Sequence, residues 1–183
     1  NDAAHAALAA QLKDHSLART YVCLVCGRIR DDAGTIDAPI GRHPTDRKKM
    51  AVLAENAAGA KYAYTGWQVL ERCGNFTYIA CKLKTGRTHQ IRVHMSYIGH
   101  PLAGDTLYGG SDILLRRHAL HCGILAFAHP LTGEPLRVEC PLPEDMAALA
   151  RQEKLLTGAS PWEVFSRLTA LRLPPEGFGA GEV

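Results

Sequence analysis

The residues best suited to chemistry lie between positions 82 and 110, in KLKTGRTHQIRVHMSYIGHPLAGDTLYGG. Basic side chains and histidines surround a short apolar pattern there, and glycines follow it. A helix starting near Thr88, capped by the Thr88 hydroxyl, would bring unpaired amides and the positive end of its dipole close to Arg87 and His89. Such a helix start favours a bound phosphate, so the stretch predicts an anion-binding site.

Arg92 lies one turn into this predicted helix, on the side away from the apolar residues Ile91 and Met95. An arginine in that position can bind a carboxylate through two parallel hydrogen bonds and keep the carboxylate ionised. We therefore predict that Arg92 pairs with an acidic group. The alternative is that the basic residues of this stretch only coat the surface of a helix.

Spacing disfavours several other chemistries. His89 and His94 are five residues apart, about 140° around a helix, whereas the two histidines of a zinc-binding helix are four apart. The six cysteines lie in apolar contexts and predict buried, reduced thiols, including Cys23 and Cys26 in one strand. Glycine patterns of nucleotide-binding loops and the serine motif of hydrolases are missing. We expect no metal and no cofactor; a metal-dependent hydrolase stays open as a third alternative.

The net charge is compatible with a nucleic-acid partner, and the clustering of the basic residues favours a polyanion. The 183 residues are 46% hydrophobic, which fits one globular domain with a tail, and the formal net charge is +3. Two basic runs lie beside glycine or proline turns, one at 42–49 and one at 82–92. No apolar stretch is long enough for a membrane span, and the first residues do not resemble a signal peptide. We expect a cytoplasmic protein without membrane contact.

The elements around the 82–110 stretch predict an α+β fold, with a mixed, largely antiparallel sheet and flanking helices. Helices are predicted at 2–14, 88–99, near 112–118, from 143 to 154 and after Ser160. Strands are predicted at 19–29, 61–72, 76–84, 121–128 and 136–140, the last four as two hairpins. Alternation in the strand at 76–84 predicts a basic face with Tyr78, Ala80, Lys82 and Lys84. Residues 30–59 are predicted as a loop.

The segment TGRTHQIRVHM, followed by IGHPLAGDTLYGG, resembles the signature of the RluA-type RNA pseudouridine synthases. The likeness extends to a tyrosine-bearing strand, a basic loop, a hairpin and a closing helix: ARTYVCLVCG, PIGRHPTDRKKMAV, HALHCGILAFAHPLTGEPL and PLPEDMAAL. The resemblance implies the pseudouridine synthase catalytic fold and a cofactor-free isomerase. Such an enzyme flips a uridine out of RNA, breaks its glycosidic bond and rejoins the base through carbon 5.

The resemblance also implies roles for single residues. Tyr21 matches the family's active-site tyrosine, which lies against the flipped base, and Arg92 matches the arginine that pairs with the nucleophilic aspartate. That aspartate belongs to a motif H-R-L-D-x-x-T-S-G, which does not occur in this sequence. We interpret Asp105, in AGDTLYG, as structural rather than as a substitute. We therefore expect Arg92 to lack its acidic partner in this chain, and the chain alone to be inactive.

The RNA contacts implied by the resemblance come from two segments. Arg87, His89 and Gln90 would contact phosphate or neighbouring bases, and Arg42 and His43 would reach RNA from the basic loop. A solvated loop is the alternative for the last two. We expect a monomer acting on ribosomal RNA, with transfer RNA as a second possibility, and a non-catalytic RNA-binding module as the alternative function.

The expected organisation is a partial catalytic domain followed by an extension. Asn1 and Asp2 look like a helix cap, and the nucleophile motif of the family precedes the helix that they would begin. We therefore expect residues 1–154 to form the catalytic fold with its amino-terminal part missing. Residues 155–183 are expected to form a helical extension and a tail.

Overall fold

The computed structural model describes residues 1–111 and 115–152. This part contains three α-helices, one short 3-10 helix and eight strands. The helices are α1 (Asp2–Lys13), α2 (Gln90–Tyr97) and α3 (Glu144–Gln152), with the 3-10 turn at Thr106–Tyr108. The strands are β1 (Ala18–Cys26), β2 (Ala33–Asp37), β3 (Ile40–Arg42), β4 (Met50–Val52), β5 (Tyr64–Cys73), β6 (Phe76–Leu83), β7 (Leu120–Ala128) and β8 (Pro135–Glu139).

Six strands form one sheet in the order β2-β5-β6-β1-β7-β8. Every neighbouring pair in it is antiparallel. The β5–β6 and β7–β8 hairpins lie where the sequence predicts them, since each has a short turn between alternating strands. The sheet and its flanking helices confirm the α+β prediction.

The segment 30–59, predicted as a loop, contains three short strands. β2 adds to the sheet edge beside β5, and β3 pairs with β4 in a separate two-stranded sheet. Ile40 of this small sheet packs with Val93 of α2, so the helix fixes where the basic loop between β3 and β4 lies. Strands of three to five residues depend on such partners more than on their own pattern.

The prediction of a basic face on β6 is wrong, because both faces of the sheet are covered. Tyr78 and Ala80 belong to a core that includes Met146 of α3, whereas Ile79 and Cys81 belong to a second core on the α2 side. Central strands covered on both faces are apolar throughout. Only the end of the segment is basic, where Lys82 and Lys84 are exposed.

The helix ends follow the sequence in part. Asn1 caps α1 as predicted, since its side chain accepts the Ala4 N–H at 2.9 Å. Gly99 ends α2 with φ 84°, the left-handed conformation expected of a glycine stop. Residues 115–118 are not helical. Residues 112–114 of the predicted helix near 112–118, and the extension at 155–183, lie outside the described residues.

Cys23, Cys26, Cys81, Cys122 and Cys140 are free. Cys23 and Cys81 are fully buried on neighbouring strands, with their sulfur atoms 3.7 Å apart. Burial raises the pKa of the Cys23 thiol well above its usual value, so this thiol stays protonated. Cys140 departs from the prediction of buried thiols, because it is exposed.

Candidate active site

A cavity of about 330 Å³ brings together the two residues assigned to catalysis, Tyr21 and Arg92. We call it the active-site cavity. The other lining residues come from β1, the end of β6, the start of α2 and the segment before β7: Arg19, Leu83, Gly86, Arg87, His89, Gln90, Ile91, His118 and Leu120. Arg92 therefore borders a concave site beside Tyr21, as the resemblance implies.

Tyr21 is held in the middle of the sheet. It pairs with Cys81 of β6 on one side and with Cys122 of β7 on the other, next to an irregularity in the β1–β7 register. Burial raises the pKa of its phenol, although the charge of Arg19 acts in the opposite direction. The phenol is therefore protonated at neutral pH and offers a flat face with a polar tip.

Arg92 forms an ion pair with Asp105. Nε of Arg92 donates to Oδ2 of Asp105, and Nη2 donates to Oδ1, both at 2.7 Å. The Asp105 side chain is 1% exposed and that of Arg92 is 13% exposed, so the pair lies largely out of water. These hydrogen bonds raise the pKa of the Arg92 guanidinium further above its usual value.

This ion pair corrects one prediction and supports another. Arg92 does bind a carboxylate through two parallel bonds, but the partner belongs to this chain, contrary to the expectation that it would be missing. The reason is that the loop after α2 folds back against the helix. The interpretation of Asp105 as structural agrees with its burial.

The loop around Asp105 is shaped by two glycines. Gly104 has φ 74°, and a Cβ there would clash with the backbone oxygen of Arg117. A Cβ at Gly110 would clash with the backbone oxygen of Leu102. The Asp105 carbonyl accepts the Gly110 N–H at 2.8 Å, which closes the loop. A backbone this crowded leaves the Asp105 carboxylate little freedom.

Tyr108 covers a flat side of the Arg92 guanidinium. The guanidinium carbon lies 4.8 Å from the centre of the Tyr108 ring, a cation–π contact. The Tyr108 hydroxyl accepts the Met50 N–H at 2.9 Å and lies 2.8 Å from Nδ1 of His89. Tyr108 therefore connects Arg92, the basic loop and the start of α2.

The start of α2 differs from the prediction. His89, not Thr88, occupies the cap position, and no side chain caps the helix there. His89 has φ 56°, a left-handed conformation that costs a residue other than glycine about 1–3 kcal/mol and that clusters at functional sites. Burial, and then the charge of Arg92, lower the pKa of His89, which is therefore neutral at pH 7 and can accept a hydrogen bond from the Tyr108 hydroxyl.

The prediction that Gln90 contacts RNA needs correction. The residue is 2% exposed, and its amide group is fully used inside the protein. Oε1 accepts the Thr85 hydroxyl at 2.8 Å and the Arg87 N–H at 2.9 Å. Nε2 donates to the Tyr64 carbonyl at 2.9 Å and to the Thr65 hydroxyl at 3.0 Å. Gln90 thus fastens the loop before α2 to β5.

A second cavity, of about 470 Å³, lies between the basic loop and the start of α2. We call it the basic cavity, because its lining includes Arg42, Lys48, Lys49, Lys61 and Arg87 and no carboxylate. Arg87, together with the neighbouring His89, lines both cavities, so the two are adjacent. Nε of Arg87 donates to the Tyr62 carbonyl at 2.7 Å, which holds the side chain in place.

His43 has a different position from Arg42. It borders a third cavity rather than the basic one. Its Nδ1 accepts the backbone N–H groups of Thr45 and Asp46 at 3.3 and 3.0 Å, so the ring closes a turn of its own loop. This local role is close to the solvated-loop alternative considered for His43.

Sequence reasoning missed several residues of the site. Arg19 and His118 line the active-site cavity, and Nε of Arg19 is buried without a partner in the described part of the chain. Burial lowers the pKa of His118, so this imidazole is neutral too. For Tyr108, the sequence offers one signal of a role in the site, its position three residues after Asp105 in a glycine-rich segment. Nothing in the sequence pattern indicates His118.

The described residues contain neither a metal-binding cluster nor a membrane-spanning helix. Among residues 1–111 and 115–152, no three His, Cys, Asp or Glu side chains lie close enough together to hold a metal ion. No helix in the same residues has the length and apolar character needed to cross a membrane.

Comparison with known proteins gives consistent matches. Residues 1–97 match the sequence model of the RNA pseudouridylate synthase family. An uncharacterised RNA pseudouridine synthase of Bacillus subtilis is 52% identical over 150 residues, which are 81% of this chain and 48% of that protein. Ribosomal large subunit pseudouridine synthase D of Pseudomonas aeruginosa is 46% identical, over 82% of this chain and 51% of that protein. The chain thus spans about half the length of these relatives.

Solved structures give the same fold. Human RNA pseudouridylate synthase domain containing 1 superposes with a TM-score of 0.71 at 31% identity. The match covers 81% of this chain and 65% of the human chain.

Proposed function

The chain belongs to the RNA pseudouridylate synthase family, and from that membership we propose that the protein converts uridine to pseudouridine in structured RNA. The observation that carries the proposal is the shared lining of one cavity by Tyr21 and Arg92. Beside it lies a cavity with five cationic side chains and no carboxylate, suited to the RNA backbone.

Binding divides between the two cavities. Phosphates enter the basic cavity near Arg42 and Arg87, and the flipped uridine enters the active-site cavity. Extrusion of the base costs a few kcal/mol. Stacking on the Tyr21 ring, at about 1–3 kcal/mol, and contacts to phosphate offset that cost. Because these contacts are electrostatic, RNA affinity falls as salt rises.

The chemistry needs a carboxylate nucleophile, which we propose to be an aspartate outside these 183 residues. It attacks C1′ of the ribose and displaces the uracil, whose N1 takes the electron pair of the glycosidic bond. The uracil turns, and its carbon 5 attacks C1′ and displaces the aspartate, which leaves as a carboxylate. Carbon 5 then loses its proton and N1 gains one, so the product is an isomer of the substrate. Arg92 binds the nucleophile and keeps it ionised. The protonated phenol of Tyr21 lies against the base and exchanges a proton with it.

We propose large-subunit ribosomal RNA as the substrate, because relatives such as the Pseudomonas aeruginosa protein carry that name. We further propose a monomeric, cytoplasmic protein, with residues 1–154 in the catalytic fold. A non-catalytic RNA-binding module is the second candidate. It is favoured by the Arg92–Asp105 pair, which gives the Nε and Nη2 side of the guanidinium a carboxylate partner without a nucleophile.

The test uses the full-length protein and a transcript of large-subunit ribosomal RNA. We expect conversion of specific uridines, measured by mass spectrometry, and the loss of the same pseudouridines in cells that lack the gene. RNA binding without conversion, together with an unchanged pseudouridine map in those cells, would support the binding module instead.

A further inference from the structure

Asp105 occupies one edge of the Arg92 guanidinium. Its two oxygens take the Nε and Nη2 protons, which leaves Nη1 on the other edge. Within the described residues, Nη1 forms no hydrogen bond. Arg92 lines the active-site cavity and Asp105 does not, so a group in the cavity can approach the guanidinium without displacing Asp105.

The orientation of the guanidinium is fixed from several directions. Tyr108 stacks on a flat side, and Asp105 holds one edge with two short bonds. The loop that carries both residues is closed by backbone hydrogen bonds, including Tyr108 N–H to the Asp105 carbonyl at 3.0 Å. An arginine side chain normally has several rotamers, and these contacts select one.

We propose that Asp105 is a positioning residue, which holds Arg92 so that its Nη1 edge receives a second carboxylate in the cavity beside Tyr21. The inference rests on the proposed function, because the second carboxylate is the nucleophile described there. Asp105 does not touch the substrate. It acts through Arg92, in the way that outer partners orient the groups that perform a reaction.

The charge of Asp105 has a second effect on the site. It offsets the charge of Arg92, so the pair presents little net charge to the RNA backbone. Lys48 and Lys61 of the basic cavity form no ion pair within the described residues. Phosphates are therefore drawn to the basic cavity, whereas a carboxylate placed directly beside Nη1 can still accept its short hydrogen bonds.

The test compares two substitutions in the full-length protein. Asp105→Asn removes the charge and one acceptor from the Arg92 pair. Asp145→Asn makes the same change in an ion pair with the same geometry, since Asp145 accepts Nε and Nη2 of Arg117, each at 2.7 Å. The Asp145 pair is exposed and lines neither cavity, which makes it a matched control.

The measurements are the rate of a single turnover at saturating RNA and the dissociation constant for the same RNA. For Asp105→Asn we expect the rate to fall about 100-fold, the effect of a misplacement of about 1 Å, with no comparable loss of RNA affinity. For Asp145→Asn we expect wild-type values of both. A purely structural role of Asp105 would reduce folding and RNA affinity together, which separates it from positioning.

A wild-type rate in the folded Asp105→Asn protein would overturn the inference while leaving the proposed function intact. An inactive wild-type protein would overturn both. If Asp105→Asn does not fold, Asp105→Glu decides, because it keeps the charge but moves the oxygens by one methylene. A slow Glu variant with normal RNA affinity supports positioning, and a Glu variant with the wild-type rate refutes it.

Discussion

Replacing Gln90 with leucine tests whether this residue holds the fold or binds RNA. Leucine has a similar volume, so the substitution removes hydrogen bonds without opening a large cavity. Four bonds are lost, two at Oε1 and two at Nε2. The four groups that were bonded to Gln90 would then lose that partner, and water has little access to them because Gln90 is 2% exposed.

The magnitude follows from the count of bonds. A hydrogen bond contributes about 1 kcal/mol net, so Gln90→Leu should lower the free energy of unfolding by about 4 kcal/mol. With an m-value of about 2 kcal/mol/M, the urea midpoint falls by about 2 M. Gln11→Leu is the control. Gln11 lies on α1, and its side-chain amide makes two hydrogen bonds to the backbone of Ala128 in β7, at 2.8 Å each. It should cost about half as much.

The assay is urea denaturation of the full-length protein, followed by circular dichroism, alongside RNA affinity under native conditions. We expect the folded fraction of the Gln90→Leu protein to bind RNA with nearly normal affinity. An unchanged urea midpoint combined with weak RNA binding would refute the structural role and restore the original interpretation of Gln90 as an RNA contact.

Three further outcomes follow from the site. Arg92→Met should abolish isomerisation while RNA affinity is retained, and it should lower the free energy of unfolding by about 3–5 kcal/mol because it leaves buried Asp105 unpaired. The double variant Arg92→Met, Asp105→Asn should recover stability in thermal melts but no activity. Near-normal turnover in either variant would contradict the role of Arg92. Tyr21→Phe should bind RNA well and turn over slowly, and a fully active variant would limit Tyr21 to stacking. His94 is buried and its pKa is lowered by burial, so the unfolded chain binds its proton more readily; stability should fall as pH drops below about 6.5. His94→Gln should remove this part of the pH dependence of stability. If the melting temperature of the His94→Gln protein depends on pH as strongly as that of the wild type, the role given to His94 is wrong.

The parts of the fold that could be predicted are those with local signals. The β5–β6 and β7–β8 hairpins combine alternating residues with short turns, and Gly99 marks the end of α2. β2, β3 and β4 carry too few residues for a pattern, and their partners lie elsewhere in the chain. The second buried face of β6 depends on the docking of α3, which no period within β6 can indicate.

The candidate site was predictable by residue type but not by contact. Arg92 was expected to bind a carboxylate, yet the sequence does not tell how the loop between Gly104 and Gly110 folds, and that fold brings Asp105 to it. Gln90 lies in the middle of a polar motif, so its burial could not be foreseen. Arg87 and His89 line the two adjacent cavities, but their contact with RNA stays a prediction.

The two separate cores on opposite sides of the sheet have a practical consequence for protein engineering. The layer under α3, with Leu142, Met146 and Leu149, does not line either cavity, whereas Ile91 of the other layer does. Substitutions at distant positions add nearly independently. Substitutions in the α3 layer should therefore change thermal stability with little effect on turnover, whereas substitutions in the α2 layer should change both.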